Sequence, residues 1–178
     1  MQEIQIHTEN LIIRDFVESD ITDEYVSWLN NKYLMRYSEQ RHNLHTKETS
    51  EKYLASFSST PNYFLSIKTK KGEMIGTMTI YQDTYNKICD MGILIGSSSS
   101  RGKGYGFEAW IAAIKWVELN LKPRKITAGT VSANKSMLRL MEKSNMCDDG
   151  KRKEHYLIDG KSMDVIFMAI HFDLGKRK

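Results

Sequence analysis

The feature that most constrains the fold of this chain is a glycine-rich turn between a strand-like and a helix-like segment. Residues 88–95 have strand character and lead into a run of serines, whereas residues 107–119 carry apolar side chains at helical spacing. Glycine allows tight or left-handed backbone, and the N–H groups that start a helix favour a negative ligand. The sequence therefore predicts a phosphate or pyrophosphate site at the turn. The turn consists of Arg101, Gly102, Lys103, Gly104, Tyr105 and Gly106.

Two well-known phosphate loops do not match this turn. A dinucleotide-binding loop needs Gly-x-Gly-x-x-Gly, and a Walker loop needs Gly-x-x-x-x-Gly-Lys followed by Ser or Thr. The order Gly-Lys-Gly-Tyr-Gly-Phe over residues 102–107 satisfies neither pattern. A domain that binds ATP or NAD is therefore the least favoured interpretation.

Strand and helix signals on both sides of the turn follow an order typical of an α+β domain. Ser19 and Asp20 are suited to cap the first helix, and the apolar stripe of the helix after the turn is Trp110, Ile111, Ile114 and Val117. Asp-Gly at residues 159–160 predicts a hairpin between the last two strands. The predicted segments are strand 11–16, helix 21–31, a helix from Thr46, strands 63–69, 74–81 and 88–95, helix 107–119, strand 125–131, helix 134–144 and two final strands.

Composition describes an ordinary globular protein of 178 residues, with 40% hydrophobic and 27% charged residues. We expect one domain over residues 1–174 and a basic tail over residues 175–178, which supplies three of the four net positive charges. Nucleic-acid and membrane partners are not expected, because the rest of the chain is nearly neutral and no apolar run is long enough to span a bilayer. The start of the chain does not resemble a secretory signal, so a cytoplasmic location is expected. Cys89 and Cys147 are predicted to be free thiols, and no metal site is predicted.

The turn resembles the [Q/R]-x-x-G-x-[G/A] motif of the GNAT acetyltransferases, with Arg101, Gly104 and Gly106 at its defining positions. The resemblance extends over about residues 11–172. Segment 130–146 is similar to the family's region that begins with an asparagine and ends after a Glu-Lys pair, here Asn134 and Glu142-Lys143. The opening Leu-Ile-Ile-Arg at 11–14 and the closing Asp-Val-Ile at 164–166 are similar to the branch with ribosomal-protein N-terminal and spermidine acetyltransferases. The sequence Trp-Leu-Asn-Asn at 28–31 resembles members that act in surface-sugar biosynthesis.

This resemblance implies an α+β fold and a cofactor. The fold would be a mixed, twisted central sheet of six to seven strands, splayed into a V and flanked by about four helices, with acetyl-CoA in the gap. The turn would hold the phosphates of coenzyme A, and the backbone of Ile93, Leu94 and Ile95 would pair with the pantetheine arm. Asn134 would contact that arm through its amide, although a helix N-cap explains this residue nearly as well.

The implied reaction is direct attack of a primary amine on the thioester in a ternary complex. An alkyl ammonium has a pKa near ~10.4, so a base must remove a proton at neutral pH. Asp90 is the candidate base, and Glu39 and His155 are weaker alternatives. Met141 stands where many relatives have a tyrosine acid, so Ser136, Tyr156 or unassisted loss of the thiolate would have to replace that acid.

The acceptor amine is left open by the sequence. An amino sugar carried on a nucleotide and a protein N-terminal amine are the two leading candidates, while polyamines are disfavoured because basic residues accompany Glu39 on the acceptor side. Glu39 and Arg41 are candidate substrate-binding residues. A catalytically inactive acetyl-CoA-binding module used as a sensor is the alternative function, and a homodimer is left open.

Overall fold

The structure, a computed structural model, describes residues 4–172 of the chain. In this range eight strands form one sheet, in the order β1-β2-β3-β4-β5-β6-β8-β7. The predicted α+β class and mixed central sheet are confirmed, with eight strands and five α-helices in the described residues. The strands are β1 (Gln5–His7), β2 (Leu11–Asp15), β3 (Tyr63–Thr69), β4 (Met74–Asp83), β5 (Ile88–Ile95), β6 (Lys125–Val131), β7 (Cys147–Ile158) and β8 (Lys161–His171). The helices are α1 (Asp23–Leu29), α2 (Lys32–Met35), α3 (Lys47–Ala55), α4 (Tyr105–Asn120) and α5 (Lys135–Lys143).

The predicted elements all occur, and the sequence missed two short ones. β1 has three residues and α2 has four, so neither contains enough apolar positions to show a period. The predicted hairpin after residue 158 is confirmed, and both of its turn residues, Asp159 and Gly160, have positive φ. The predicted basic tail lies outside the described residues.

Helix α4 covers one face of the sheet over the main core. Its buried residues are Ala109, Trp110, Ala113, Ile114 and Val117. Ile111 was expected in this stripe but is 38% exposed, because the helix packs on the sheet through Ala109 and Ala113, which are fully buried. The buried face of α4 is therefore rotated away from Ile111 and toward Ala109 and Ala113.

Helices α1 and α3 lie on the opposite face of the sheet, over a second, aromatic core. Phe16, Tyr25, Trp28, Phe57 and Phe64 form this cluster. Its rings make stacked and edge-to-face pairs, such as the stacked rings of Phe16 and Phe64 at 4.4 Å. The predicted core role of Trp28 is confirmed, since the residue is buried.

The cap of α1 differs from the prediction. Thr22 accepts the hydrogen bond from the N–H of Tyr25 at the start of the helix. Asp20 is instead a buried anion that pairs with Arg14 at 2.7 Å and with Lys68 at 2.8 Å. Two cations from neighbouring strands therefore hold Asp20 away from the helix terminus, and the chain that enters α1 is tied to the sheet.

The sheet opens between β5 and β6, which are the one parallel pair among the strands of residues 4–172. These strands pair only from Ile88 to Asp90 on β5, although β5 continues to Ile95. β6 instead pairs along its whole length with β8. The predicted V is the gap between the far ends of β5 and β6, and it lies directly before the glycine-rich turn.

Candidate active site

The glycine-rich turn forms the start of α4 as predicted. Gly104 immediately precedes the helix with φ 81°, and Gly102 has φ 74°. The first helical hydrogen bond runs from the N–H of Glu108 to the carbonyl of Gly104 at 3.0 Å. The N–H groups before it have no acceptor within the helix, and together with the helix dipole they favour an anion. A Cβ added at either glycine would meet no atom within 4 Å, so the loop surface is open to a ligand.

The far end of β5 offers unpaired backbone to the gap. The carbonyl oxygen of Leu94 points to β4, because a Cβ added at Gly76 would run into it. Main-chain groups alternate between the two sides of a strand, so those of Ile93 and Ile95 point to the open side. Of the three predicted pantetheine residues, two therefore present backbone groups to the gap.

A cavity of about 500 Å³ lies on the opposite side of β5 from α4. Helices α1 and α3 and the segment between them form one wall, and β4 and β5 form the other. No Asp, Glu, Lys or Arg of the described residues lines this cavity, so its walls combine apolar side chains with uncharged hydroxyl and amide groups and one imidazole. The lining residues are Tyr25, Leu29, Ser38, Gln40, Asn43, Leu44, His45, Thr49, Ser50, Tyr53, Phe64, Thr77, Met78, Thr79, Gly92, Ile93 and Leu94.

Trp28 connects the wall of the cavity with the glycine-rich turn. A Cβ added at Gly96 would overlap the indole ring of Trp28, so the absent side chain is what lets α1 approach the end of β5. Leu29, the next residue of α1, lines the cavity. Gly96 in turn precedes the serines that lead to the turn. The cavity wall and the end of β5 before the turn are thus in direct packing contact.

Comparisons with known proteins agree with this geometry. A family model described as an acetyltransferase (GNAT) domain matches residues 10–146, which is most of the chain. The chain belongs to the GNAT acetyltransferase family. It is therefore an N-acetyltransferase that uses acetyl-CoA. No curated protein sequence matches the chain.

Solved structures share the fold of this acetyltransferase. A GNAT-family acetyltransferase from Bacillus anthracis is 21% identical with a TM-score of 0.81, and the match covers 94% of this chain and 98% of that chain. Spermidine N-acetyltransferase from Vibrio cholerae, in complex with CoA and spermine, is 18% identical with a TM-score of 0.82 and coverage of 92% and 96%. Ribosomal-protein-S5-alanine acetyltransferase from Vibrio fischeri is 19% identical with a TM-score of 0.81 and coverage of 98% and 100%.

The cofactor region of the acetyltransferase fits coenzyme A. The open N–H groups at the start of α4 suit the phosphates, and the unpaired edge of β5 suits the amides of the pantetheine arm. Asn134 caps α5, because its side-chain oxygen accepts from the N–H of Met137 at 3.3 Å, and its amide donates to Thr130 at 3.0 Å. The cap is confirmed, and contact of Asn134 with the arm stays a prediction. Within residues 4–172 no cluster of His, Cys, Asp or Glu could hold a metal ion, and no helix is long and apolar enough to cross a bilayer.

Asp90 lies where β5 and β6 separate. Its carboxylate accepts a hydrogen bond of 2.5 Å from the hydroxyl of Thr127 on β6. The side chain is exposed at the gap, but neighbouring protein atoms displace part of the water around its carboxylate. This desolvation raises the pKa of the carboxyl above its usual value, and the Thr127 hydrogen bond offsets only part of the increase. Asp90 does not line the cavity, and its role as the base stays a prediction.

Glu39 and Arg41 form an ion pair beside the cavity. Their side chains are 2.6 Å apart on the 3-10 turn Glu39–His42. Arg41 also donates to the carbonyl oxygens of Ser38 at 2.9 Å and Leu157 at 3.2 Å. Arg41 therefore ties this segment to the β7–β8 hairpin. Neither side chain lines the cavity, although Ser38 and Gln40 on the same segment do, and their contact with substrate stays a prediction.

The candidates for the thiol acid lie in different places. Met141 is fully buried in the main core, so the position that holds a tyrosine in many relatives has a packing role here. Ser136 is exposed on α5. Tyr156 lies on β7 and packs against the small core of Val131, Ile158 and Val165. His155, the weaker base candidate, is exposed and contacts Arg152 at 3.5 Å. None of these residues lines the cavity.

Of the residues that line the cavity, the sequence identified Ile93 and Leu94 as site residues and missed the others, His45 among them. It directly precedes Thr46, whose side chain caps α3 by accepting from the N–H of Thr49 at 3.1 Å. The cap made the start of α3 predictable. The residue before the cap lies at the cavity. A single histidine in a polar segment, however, does not by itself identify a functional site in one sequence.

Proposed function

We propose that this acetyltransferase acetylates a primary amine on a hydroxyl-bearing small molecule, of the amino-sugar class carried on a nucleotide. The cavity supports this proposal. It reaches the segment of β5 whose other edge is open to the pantetheine arm, so an amine held there would lie next to the thioester. Hydroxyl and amide side chains dominate its polar lining, and such groups match the hydroxyls of a sugar.

The neutral lining argues against a polyamine. A polyamine carries a positive charge on every nitrogen at neutral pH, and binding it in a partly buried site needs carboxylates. The cavity lining contains no carboxylate of the described residues. Spermine is bound by the V. cholerae enzyme, but that protein shares only the fold with this chain at 18% identity.

In the proposed reaction the neutral amine attacks the carbonyl carbon of acetyl-CoA directly. Held side by side, the two reactants gain the rate advantage of an intramolecular reaction. A backbone N–H on the open side of β5, from Ile93 or Ile95, is placed to stabilise the negative charge that develops on the carbonyl oxygen. The C–S bond then breaks, and coenzyme A leaves as the thiol.

A protein N-terminal amine is the second candidate acceptor. Leu44 lines the cavity and is nevertheless 80% exposed, so the cavity has an open apolar rim that a longer chain could contact. An inactive acetyl-CoA-binding sensor is the alternative outside catalysis. Met141 supports it, because a buried methionine cannot protonate the departing sulfur.

A thiol-release assay with four probes separates these functions. The probes are UDP-glucosamine, D-glucosamine, an alanine-initiated peptide and spermidine, each with acetyl-CoA. We expect the highest kcat/KM with UDP-glucosamine and the lowest with spermidine. Preference for the peptide would favour the second candidate. Tight acetyl-CoA binding by calorimetry with no thiol release from any probe would favour the sensor.

A further inference from the structure

His45 differs from every other residue that lines the cavity. Three lining side chains can titrate, namely His45, Tyr25 and Tyr53. Burial raises the pKa of both tyrosines above their ordinary value, so their hydroxyls stay protonated at neutral pH. Imidazole is the side chain that most readily accepts a proton near neutral pH. Within the described residues the cavity therefore has one side chain suited to take a proton from an amine.

The backbone of His45 is fixed by Asn30. The amide oxygen of Asn30 accepts from the N–H of His45 at 3.0 Å, and its NH₂ group donates to the carbonyl of His45 at 2.8 Å. The same NH₂ group donates to the carbonyl of Val26 in α1 at 3.2 Å. A side chain at the end of α1 thus holds both main-chain groups of His45 and fixes the position of this residue at the cavity.

The ring of His45 is oriented by the carbonyl oxygen of Gln40. Its Nε2 lies 3.0 Å from that oxygen. A carbonyl can only accept, so Nε2 carries the hydrogen, and in the neutral ring Nδ1 keeps the lone pair. Nδ1 has no hydrogen-bond partner among residues 4–172. A backbone oxygen therefore selects the tautomer and leaves one nitrogen available as a proton acceptor.

From this geometry we infer that His45 is the general base that deprotonates the acceptor amine, an inference that rests on the proposed function. The ammonium proton passes to Nδ1, and the freed nitrogen lone pair bonds to the thioester carbonyl carbon. The C–S bond breaks, and the second proton on the nitrogen passes to the departing sulfur, so that coenzyme A leaves as the thiol. His45 then releases its proton to solvent. Asp90 is not needed for this step.

The test compares three variants with the parent enzyme, using the fastest of the four probes. In His45→Ala we expect kcat to fall by about 100-fold or more, as loss of a general base does, with acetyl-CoA affinity unchanged by calorimetry. His45→Gln keeps a donor for the Gln40 carbonyl but cannot take a proton, so it should stay as slow. Added imidazole should restore part of the rate of His45→Ala and leave His45→Gln slow. His42→Ala, in the same segment but outside the cavity, is the matched control and should keep the parent kcat.

Each other result would overturn the inference. Recovery of the rate in His45→Gln would show that the ring only supports the segment. If the kcat of His45→Ala stays within threefold of the parent value, His45 does not carry the proton transfer. The parent enzyme would still turn over in that case, so the proposed function would still hold. A parent that releases no thiol from any probe would overturn the proposed function and this inference with it.

Discussion

The two sides of β5 are built on different principles. On the side of α4, the site consists of backbone: the N–H groups at the start of the helix, two glycines with positive φ, and an unpaired strand edge. On the side of α1 and α3, the site consists of residues drawn from α1, α3, the segment between them and strands β3, β4 and β5, held by hydrogen bonds such as that from Asn30 to the carbonyl of His45. We propose that the first design binds the phosphates and amides of the cofactor and that the second selects the amine.

This difference explains why one side can be read as a family feature and the other cannot. A backbone site needs glycine at fixed positions, so it leaves a motif. A side-chain cavity can be lined in many ways on the same sheet. The comparison predicts that changes on the α4 side affect acetyl-CoA binding, whereas changes on the other side affect the acceptor.

The largest effect is expected from Gly104→Glu. A carboxylate at the start of α4 would stand where the phosphates bind, and like charges about 4 Å apart at a protein surface repel by about 4 kcal/mol. Acetyl-CoA affinity should fall by about 1000-fold. Gly104→Ala has the same positive φ without the charge, so its affinity should stay within about tenfold. Calorimetric titration measures both, and unchanged affinity in the glutamate variant would place the phosphates elsewhere.

The next largest effect is expected from Asp20→Asn, which should lower the stability of the fold where the chain enters α1. Burial works to raise the pKa of Asp20, but hydrogen bonds from Arg14 and Lys68 outweigh it and hold the pKa below its usual value. The folded state is therefore stabilised above the ordinary pKa of aspartate, near ~3.9, and this contribution is lost as the pH falls through the lower folded pKa. At pH 7 the variant should lose about 2–3 kcal/mol, since both cations are partly exposed and keep some hydration.

Urea unfolding at pH 7 and at pH 3 checks this prediction. The difference between parent and Asp20→Asn should be large at pH 7 and smaller at pH 3. Asp23→Asn is the matched control, because the side chain of Asp23 is 93% exposed and its pair with Lys47 should contribute no more than about 1 kcal/mol. Equal losses in the two variants would mean that Asp20 does not anchor α1.

Asp90→Asn should lower kcat by less than about tenfold and leave acetyl-CoA affinity near normal. Asparagine can still accept the hydrogen bond from Thr127, and Asp90 lies outside the cavity, so only a nearby charge is lost. General-base loss costs about 100-fold or more, which makes the two cases distinct in a kcat measurement. A fall as deep as that of His45→Ala would return the role of base to Asp90.

Glu39→Gln should have the smallest effect. The side chain of Glu39 is half exposed and pairs with Arg41, which keeps its two bonds to backbone oxygens in the variant. Because Glu39 keeps much of its hydration, the pair should contribute about 1 kcal/mol or less. The KM for the acceptor should change by less than about threefold. A larger rise in KM would show that Glu39 contacts the substrate.

The success of the sequence-based predictions also differs between the two sides of β5. The strand 88–95, the turn and α4 could be predicted because apolar period and glycine position encode them. Asp20 was predicted as a cap from its residue type, but cations 6 and 48 positions away in the chain bind it instead. The neutrality of the cavity was not predictable, because residues from Tyr25 to Leu94 meet there only in the folded chain.

The contact of Trp28 with Gly96 has a thermodynamic consequence. If acetyl-CoA restricts the end of β5 when it binds, the indole packed there is restricted too, and with it Leu29 and Asn30 on the same helix. Binding of acetyl-CoA then already causes part of the loss of conformational entropy that binding of the acceptor would otherwise cause. Linkage requires the reverse to hold equally, so the acceptor must tighten acetyl-CoA by the same factor. The close contact at Gly96 therefore predicts positive cooperativity between the two substrates.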